Sequence, residues 1–190
     1  RVTFGKPLIE RPMIQKRILD IATQWKAGTA LAFEAARSYD DAQADPKHAS
    51  WMRLTTALAK FKTADQSVWC AQKALELVGV NGYTEDYAVS RLFRDAMVLP
   101  VWEGPEQIQA LELVRILAKE PEVARQFIGR MGAIATALPS EMQEEQNTLK
   151  ALAGDLTKTL DSLGKSPENA EVFADDLLHS MSNMLSYALM

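Results

Sequence analysis

The chain has 190 residues, 47% hydrophobic and 24% charged, with a net charge of −4; this is an ordinary globular composition with room for a real core. A single cysteine, Cys70, excludes an internal disulfide framework and fits a reducing compartment, and two distant histidines, His48 and His179, argue against any metal centre. No run approaches the ~18 apolar residues of a membrane span, and residues 134–190, with nine Asp/Glu against three Lys/Arg, should repel nucleic-acid phosphate.

The chain opens on Arg1 rather than Met, inside what reads as a working segment, "RVTFGKPL", and is expected to be a piece of a longer protein. Ile14, Ile18, Ile21 and Trp25 then step by four, three and four, one face of a helix that Pro12 can start. "ADPKHAS" ends it, and a second helix is predicted from about Ser50 to Val78, with Trp51, Leu54, Leu58, Phe61, Val68, Ala71, Leu75 and Val78 inward. Cys70 falls inside that helix and reads as a small buried hydrophobe. "GVNGYTEDY" breaks it, Asn81-Gly82 being a strong turn pair. Shorter helices follow over Tyr87–Met97 and from about Pro105 to Ala118.

Beyond "AKEP" two more stripes appear: Leu149, Leu152, Leu156, Leu160, Leu163, and then Phe173, Leu177, Met181, Met184, Ala188. "LPSE" and "GKSPE" each offer a serine cap ahead of acidic residues. No strand alternation competes, so the fold class is all-α. An antiparallel four-helix bundle is expected over residues 1–118, with a helical extension over 119–190 packed on it. His48 and His179 read as helix-end or surface residues.

The stretch that asks for chemistry is "LPVWEGPEQIQ". Glu103 ends an apolar run from Ala96 to Trp102 and is followed at once by Gly104 and Pro105. Two readings stand side by side. Glu103 caps the helix beginning near Pro105, or it is a base whose pKa is raised by an apolar neighbourhood that includes Trp102, with Gly104 letting backbone approach a ligand.

"RVTFGKPL", then "GVNGYTEDYAVSRLFRDA" about 75 residues later, then "WEGPEQIQALELVR", together resemble the C-terminal helical domain of the flavin-dependent acyl-CoA dehydrogenases. The tryptophan before Glu103 and the long tail look closest to the branch that holds the alkylation-response relatives. The resemblance covers roughly residues 1–118. It implies that the whole protein performs α,β-dehydrogenation of an acyl-CoA thioester, with FAD as cofactor, an electron-transfer flavoprotein as electron acceptor, and a homodimer or homotetramer as the working form. Glu103 would be the base that removes the α-proton, with Trp102 and Gly104 lining the substrate pocket. Arg1, Thr3 and Phe4, with Gly79 and Gly82 of the glycine turn, would reach the FAD of a neighbouring subunit, and Gln107 would contact the dinucleotide. Arg94 and Asp95 would form a structural ion pair. No role on a membrane or on nucleic acid is implied, and the compartment would be the cytoplasm, or the mitochondrion or peroxisome in a eukaryote. By itself this piece would be inactive.

Four positions depart from the family pattern. Pro105 stands where a hydroxyl residue is usual, Glu76 and Pro12 stand at usual glutamines, and Val80 replaces one of two paired glycines. A carboxylate near a diphosphate is unfavourable, so these departures favour a rival reading: a non-enzymatic helical module, derived from the same family, that binds protein or DNA.

Overall fold

The structure, a computed structural model, describes residues 2–165 and 169–190. It opens on a small hairpin, in which β1 (Val2–Thr3) pairs antiparallel with β2 (Lys6–Pro7). Phe4 and Gly5 turn it with φ of 50° and 74°, the left-handed pair that matches the twist of two joined strands. Arg11 ties the hairpin down by donating from Nη2 to the carbonyls of Thr3 (3.1 Å) and Phe4 (2.7 Å).

Helices make up the rest of the regular structure. They are α1 (Pro12–Ala44), α2 (Ala49–Val78), α3 (Val80–Tyr83), α4 (Ala88–Val98), α5 (Glu106–Lys119), α6 (Pro121–Ala137), α7 (Gln143–Lys165) and α8 (Ala174–Ala188). Pro12 and Pro121 begin their helices, where a missing N–H costs nothing. The helices expected to begin at Ser50, Tyr87 and Pro105 are present, with ends shifted by no more than one residue.

Local chemistry differs in two places. Asn81 and Gly82 lie in the single-turn helix α3 rather than in a turn, because Gly79 has already reversed the chain. Gly79 sits at φ 75° and ψ −146° and donates its N–H to the Leu75 carbonyl at 3.0 Å, a conformation open only to glycine. Ser140 is not a cap: it lies within a 3₁₀ turn, Ser140–Met142, behind Pro139. The serine of "GKSPE" lies outside the described residues.

Everything is arranged about α2. It packs against α1, and α4 and α5 follow one another along it in the opposite direction. The junction between them is marked by Lys60, whose Nζ donates to the Leu99 carbonyl at 2.6 Å; further along, Arg53 pairs with Glu112 and Glu120. Helix α8 packs against α1, α2 and α5, so the fourth place around the first half of α2 is filled from beyond residue 118.

One core results, running from Leu31, Leu54 and Leu58 through Leu113, Phe127 and Met131 to Leu149, Leu156, Leu178 and Met181. The expected inward residues Trp51, Phe61, Leu177 and Met184 are buried, whereas Val68, Ala71, Leu75 and Val78 are half-buried and Leu152 and Phe173 are exposed. The first stripe turns out differently. Ile18 and Trp25 are exposed, Trp25 by 67%, and α1 buries Ala27, Gly28, Leu31, Glu34 and Ser38 instead. Helical periodicity decides which residues share a face. Which face meets a neighbour depends on the rest of the chain, and here the neighbours clothe the second half of α1 far more fully than the first, where Ile14 and Ile21 are only half-buried.

Candidate functional site

The loop between α4 and α5 carries Trp102, Glu103 and Gly104. It begins where α4 runs out at Val98 and ends at Pro105, the N-cap of α5. Glu103 has φ 53° and Gly104 φ 95°. Two left-handed residues in succession swing the chain sharply, and the first of them is not a glycine, so the surrounding structure must hold it there. Three side chains anchor residues on either side of it. Lys60 holds the Leu99 carbonyl, Gln109 donates from Nε2 to the Gly104 carbonyl at 3.2 Å, and His179 meets Glu106 with Nε2 2.6 Å from Oε1. The φ of 95° at Gly104 is a conformation that residues with a side chain rarely adopt, which explains the glycine; a Cβ there would meet only the movable Gln109 amide.

The cap reading of Glu103 is not what the loop contains. Helix α5 has no side-chain cap bond, and among the described residues the Glu103 carboxylate meets no donor and no cation. The expected apolar shelter is also missing from this chain: Glu103 is exposed, and Trp102 beside it is 52% exposed. The loop lies on the outer face of the junction between α4 and α5, so the chain presents the apolar residues outward, with nothing of its own above them. Gln107 is exposed in the first turn of α5, close to the same loop. Behind the loop a small cavity of about 150 Å³ is lined by Lys60, Phe61, Ala64, Met97 and Gly104.

The other sequence candidates sit elsewhere. The hairpin precedes α1 and the glycine turn follows α2; because these helices are antiparallel, Thr3, Phe4 and Gly79 occupy one end of the bundle. From Lys60 to Val78 the axis of α2 runs roughly 27 Å at ~1.5 Å per residue, so this end is well separated from Glu103. Phe4 is 97% exposed at the hairpin tip, and the Thr3 hydroxyl is buried with no partner. Gly82 is buried in its own chain: a Cβ there would lie 2.7 Å from the Leu75 carbonyl oxygen. Packing within this chain is therefore enough to require Gly82. Arg1 lies outside the described residues. Glu76, one of the departures, is paired with Lys73 at 2.8 Å. Arg94 forms its ion pair with Glu85, through Nη1 at 2.7 Å and Nη2 at 2.9 Å, rather than with Asp95.

Sequence reasoning missed a buried carboxylate. Glu34 accepts from Trp51 Nε1 (3.2 Å), from Arg37 (2.9 Å) and from both terminal nitrogens of Arg130 (2.7 Å each), joining α1, α2 and α6. The Arg130 guanidinium also lies over the Trp51 ring, 5.2 Å from its centroid. Its position on the face shared by Ala27, Leu31 and Ser38 was the available signal. The sequence alone makes His179 an ordinary helix-end or surface residue, yet it reaches Glu106 and packs edge-on to Phe61 with centroids 4.6 Å apart. A larger cleft of about 1060 Å³ lies between α6, α7 and α8, lined by Leu138, Leu149, Leu156, Leu177, Met184 and Tyr187 among others. No helix among the described residues is long and apolar enough to cross a membrane.

Comparison with known proteins places this geometry. The family model described as "Acyl-CoA dehydrogenase, C-terminal domain" matches residues 1–118. AidB of Escherichia coli (strain K12) is 37% identical over 123 residues, covering 65% of this chain and 23% of that protein. The cyclohexane-1-carbonyl-CoA dehydrogenase of Syntrophus aciditrophicus is 40% identical over 120 residues, covering 63% of this chain and 29% of the enzyme. The chain thus spans about a quarter of the length of these relatives. A crystal structure of Caenorhabditis elegans ACDH-11 in complex with C11-CoA shares the fold over 100% of this chain and 34% of that one, with a TM-score of 0.88 at 24% identity. With a match over the hairpin, the glycine turn and the Glu103 loop alike, the chain belongs to the acyl-CoA dehydrogenase family and carries its C-terminal helical domain.

Proposed function

We propose that the whole protein oxidises an acyl-CoA thioester between its α- and β-carbons, with Glu103 as the base. The observation that carries this reading is the state of the Glu103 carboxylate: held out on a left-handed loop, free of cap bonds and ion pairs, beside an exposed Trp102. A base for a weakly acidic C–H must be unpaired and must work where water is scarce. Glu103 meets the first condition within this chain. The second would be met when another part of the protein covers Trp102 and Val101, which face outward around it.

The residues present fit FAD. Thr3 keeps a buried hydroxyl unpartnered, Phe4 offers a bare ring, and the charge of Glu76 is countered by Lys73. The chemistry that bound FAD would supply is the acceptor for the hydride leaving the β-carbon. Thr3 and Phe4, with Gly79 beside them, would hold the dinucleotide of a neighbouring copy, while Gln107 would face the dinucleotide next to the chain's own Glu103; the separation along α2 favours two different cofactors and hence a homo-oligomer. Glu103 takes the α-proton on a carboxylate oxygen, from a loop whose other residues are anchored by Lys60, Gln109 and His179. Reoxidation by an electron-transfer flavoprotein completes the proposal.

The test is Glu103→Gln in the full-length protein. Flavin bleaching by acyl-CoA should slow by at least ~10²-fold, the lower end for a positioned general base, with FAD content and melting temperature close to the parent. Near-normal bleaching would overturn the reading.

A further inference from the structure

The segment that matches the family model ends at residue 118, yet one of the contacts that fix the Glu103 loop comes from beyond it. His179 lies on α8, and its ring is braced edge-on by Phe61 of α2 while its Nε2 reaches Glu106 Oε1 at 2.6 Å. A carboxylate can only accept, so Nε2 must carry the hydrogen. Glu106 is the first residue of α5, three positions after Glu103, and the residues between them are Gly104 at φ 95° and Pro105. Proline fixes its own φ, so a displacement of Glu106 is passed to the loop through few soft torsions.

The loop has reason to move. Glu103 holds a left-handed φ without being a glycine, and such a conformation persists only where neighbours over-determine it. Lys60 secures the start of the loop and Gln109 its middle. His179 secures its end, and it is the only one of the three that belongs to the extension. The contact is half exposed on both sides, so it adds little to global stability.

We infer that His179 is a positioning residue for the proposed base: through Glu106 it sets the aim of Glu103, and so makes the C-terminal extension part of the active site rather than a passive appendage. The inference rests on the proposed role of Glu103. Its structural half, that His179 holds the loop, stands without it.

The experiment uses the full-length protein with two variants, His179→Ala and His179→Gln; glutamine keeps a donor near the place of Nε2 but not the ring. Flavin bleaching at saturating acyl-CoA should slow about tenfold in His179→Ala, less than the ~10²-fold that a 1 Å misplacement can cost, with the KM for acyl-CoA and the melting temperature unchanged. Hydrogen exchange in the peptide spanning 99–109 should quicken in the same variant. His179→Gln should restore both. Glu106→Ala should match His179→Ala, and the double variant should be no slower than either. Parental exchange in His179→Ala, or a glutamine variant as impaired as alanine, would overturn the inference. If Glu103→Gln bleaches normally while His179→Ala loosens the loop, the catalytic reading fails and the clamp survives, so the two failures are told apart.

Discussion

The two ends of the α1/α2 pair are built from similar material and end in opposite conditions. At one end the second half of α1 and the first half of α2 are clad by α5, α6 and α8. There Leu31, Leu54 and Leu58 are fully buried, and a charged group, Glu34, is carried inside with donors from Trp51, Arg37 and Arg130. At the other end α4 and the short α3 lie along α2, and the end of α8 reaches Gln24 through Tyr187; no residue from Pro12 to Lys26, or from Ser67 to Val78, is fully buried, and Met13, Ile18, Leu19 and Trp25 stand in the open. The bare end is also the end that carries the hairpin and the glycine turn. An apolar face left open on a stable protein marks a surface made for something else. Here it coincides with the residues proposed to serve a neighbour's cofactor, and the clad end stabilises the arrangement without their help.

The strongest way to break this contrast is to hollow the clad end. Phe127 is fully buried in the core, and Phe127→Ala in the 190-residue chain should cost about 3–5 kcal/mol in urea unfolding. A loss under about 1 kcal/mol would mean that this end is not the cooperative core.

The next test lies at the boundary between the ends. Gly82→Ala places a Cβ against the Leu75 carbonyl. Backbone cannot yield as a side-chain tip can, so a loss of about 1–3 kcal/mol is expected, read from the same unfolding curves. Stability equal to the parent would return Gly82 to the list of residues kept for a ligand.

At the bare end the expected effect is small, and it sharpens the comparison through its dependence on context. Trp25→Ala should cost no more than about 0.5 kcal/mol in the 190-residue chain, as at an ordinary surface position, and distinctly more in the full-length protein, where the face is proposed to be covered. Equal costs in both would mean that the face stays open.

The smallest effect is a change of rate. Cys70 lies in the bare half of α2, half-buried, with Sγ 4.0 Å from the Ile21 carbonyl oxygen, and burial pushes its thiol pKa up. At a given pH less of it is thiolate, so a thiol reagent should react more slowly than with the urea-unfolded chain, and the rate should keep climbing with pH after the unfolded control has levelled off. The linkage runs the same way: a folded pKa above the unfolded one means stability is lost as pH rises past the unfolded thiol's pKa. Superimposable rate profiles would show that this half of α2 is barer than described.

The sequence by itself determined the helices up to residue 118, their ends and much of the core, while α6, with its buried Val123, Phe127 and Met131, was passed over. Local signals are enough for that: Pro12 at a helix start, Gly79 at a helix end, and apolar residues at spacings of three and four such as Trp51, Leu54, Leu58 and Phe61. The Glu103 loop was legible for the same reason, since an apolar run stopped by Glu-Gly-Pro is a local anomaly. What only the tertiary structure decided was which face met a neighbour. The stripe from Ile14 to Trp25 has the same periodicity as a core face, and nothing within twenty residues says that Ile14 and Ile21 are only half-covered and Ile18 and Trp25 left exposed. Glu34 and His179 were opaque for the complementary reason. Their partners, Arg130 at 96 residues and Glu106 at 73 residues along the chain, become neighbours only when α6 and α8 fold back onto the bundle, and a charge or an imidazole takes its role from the groups that surround it.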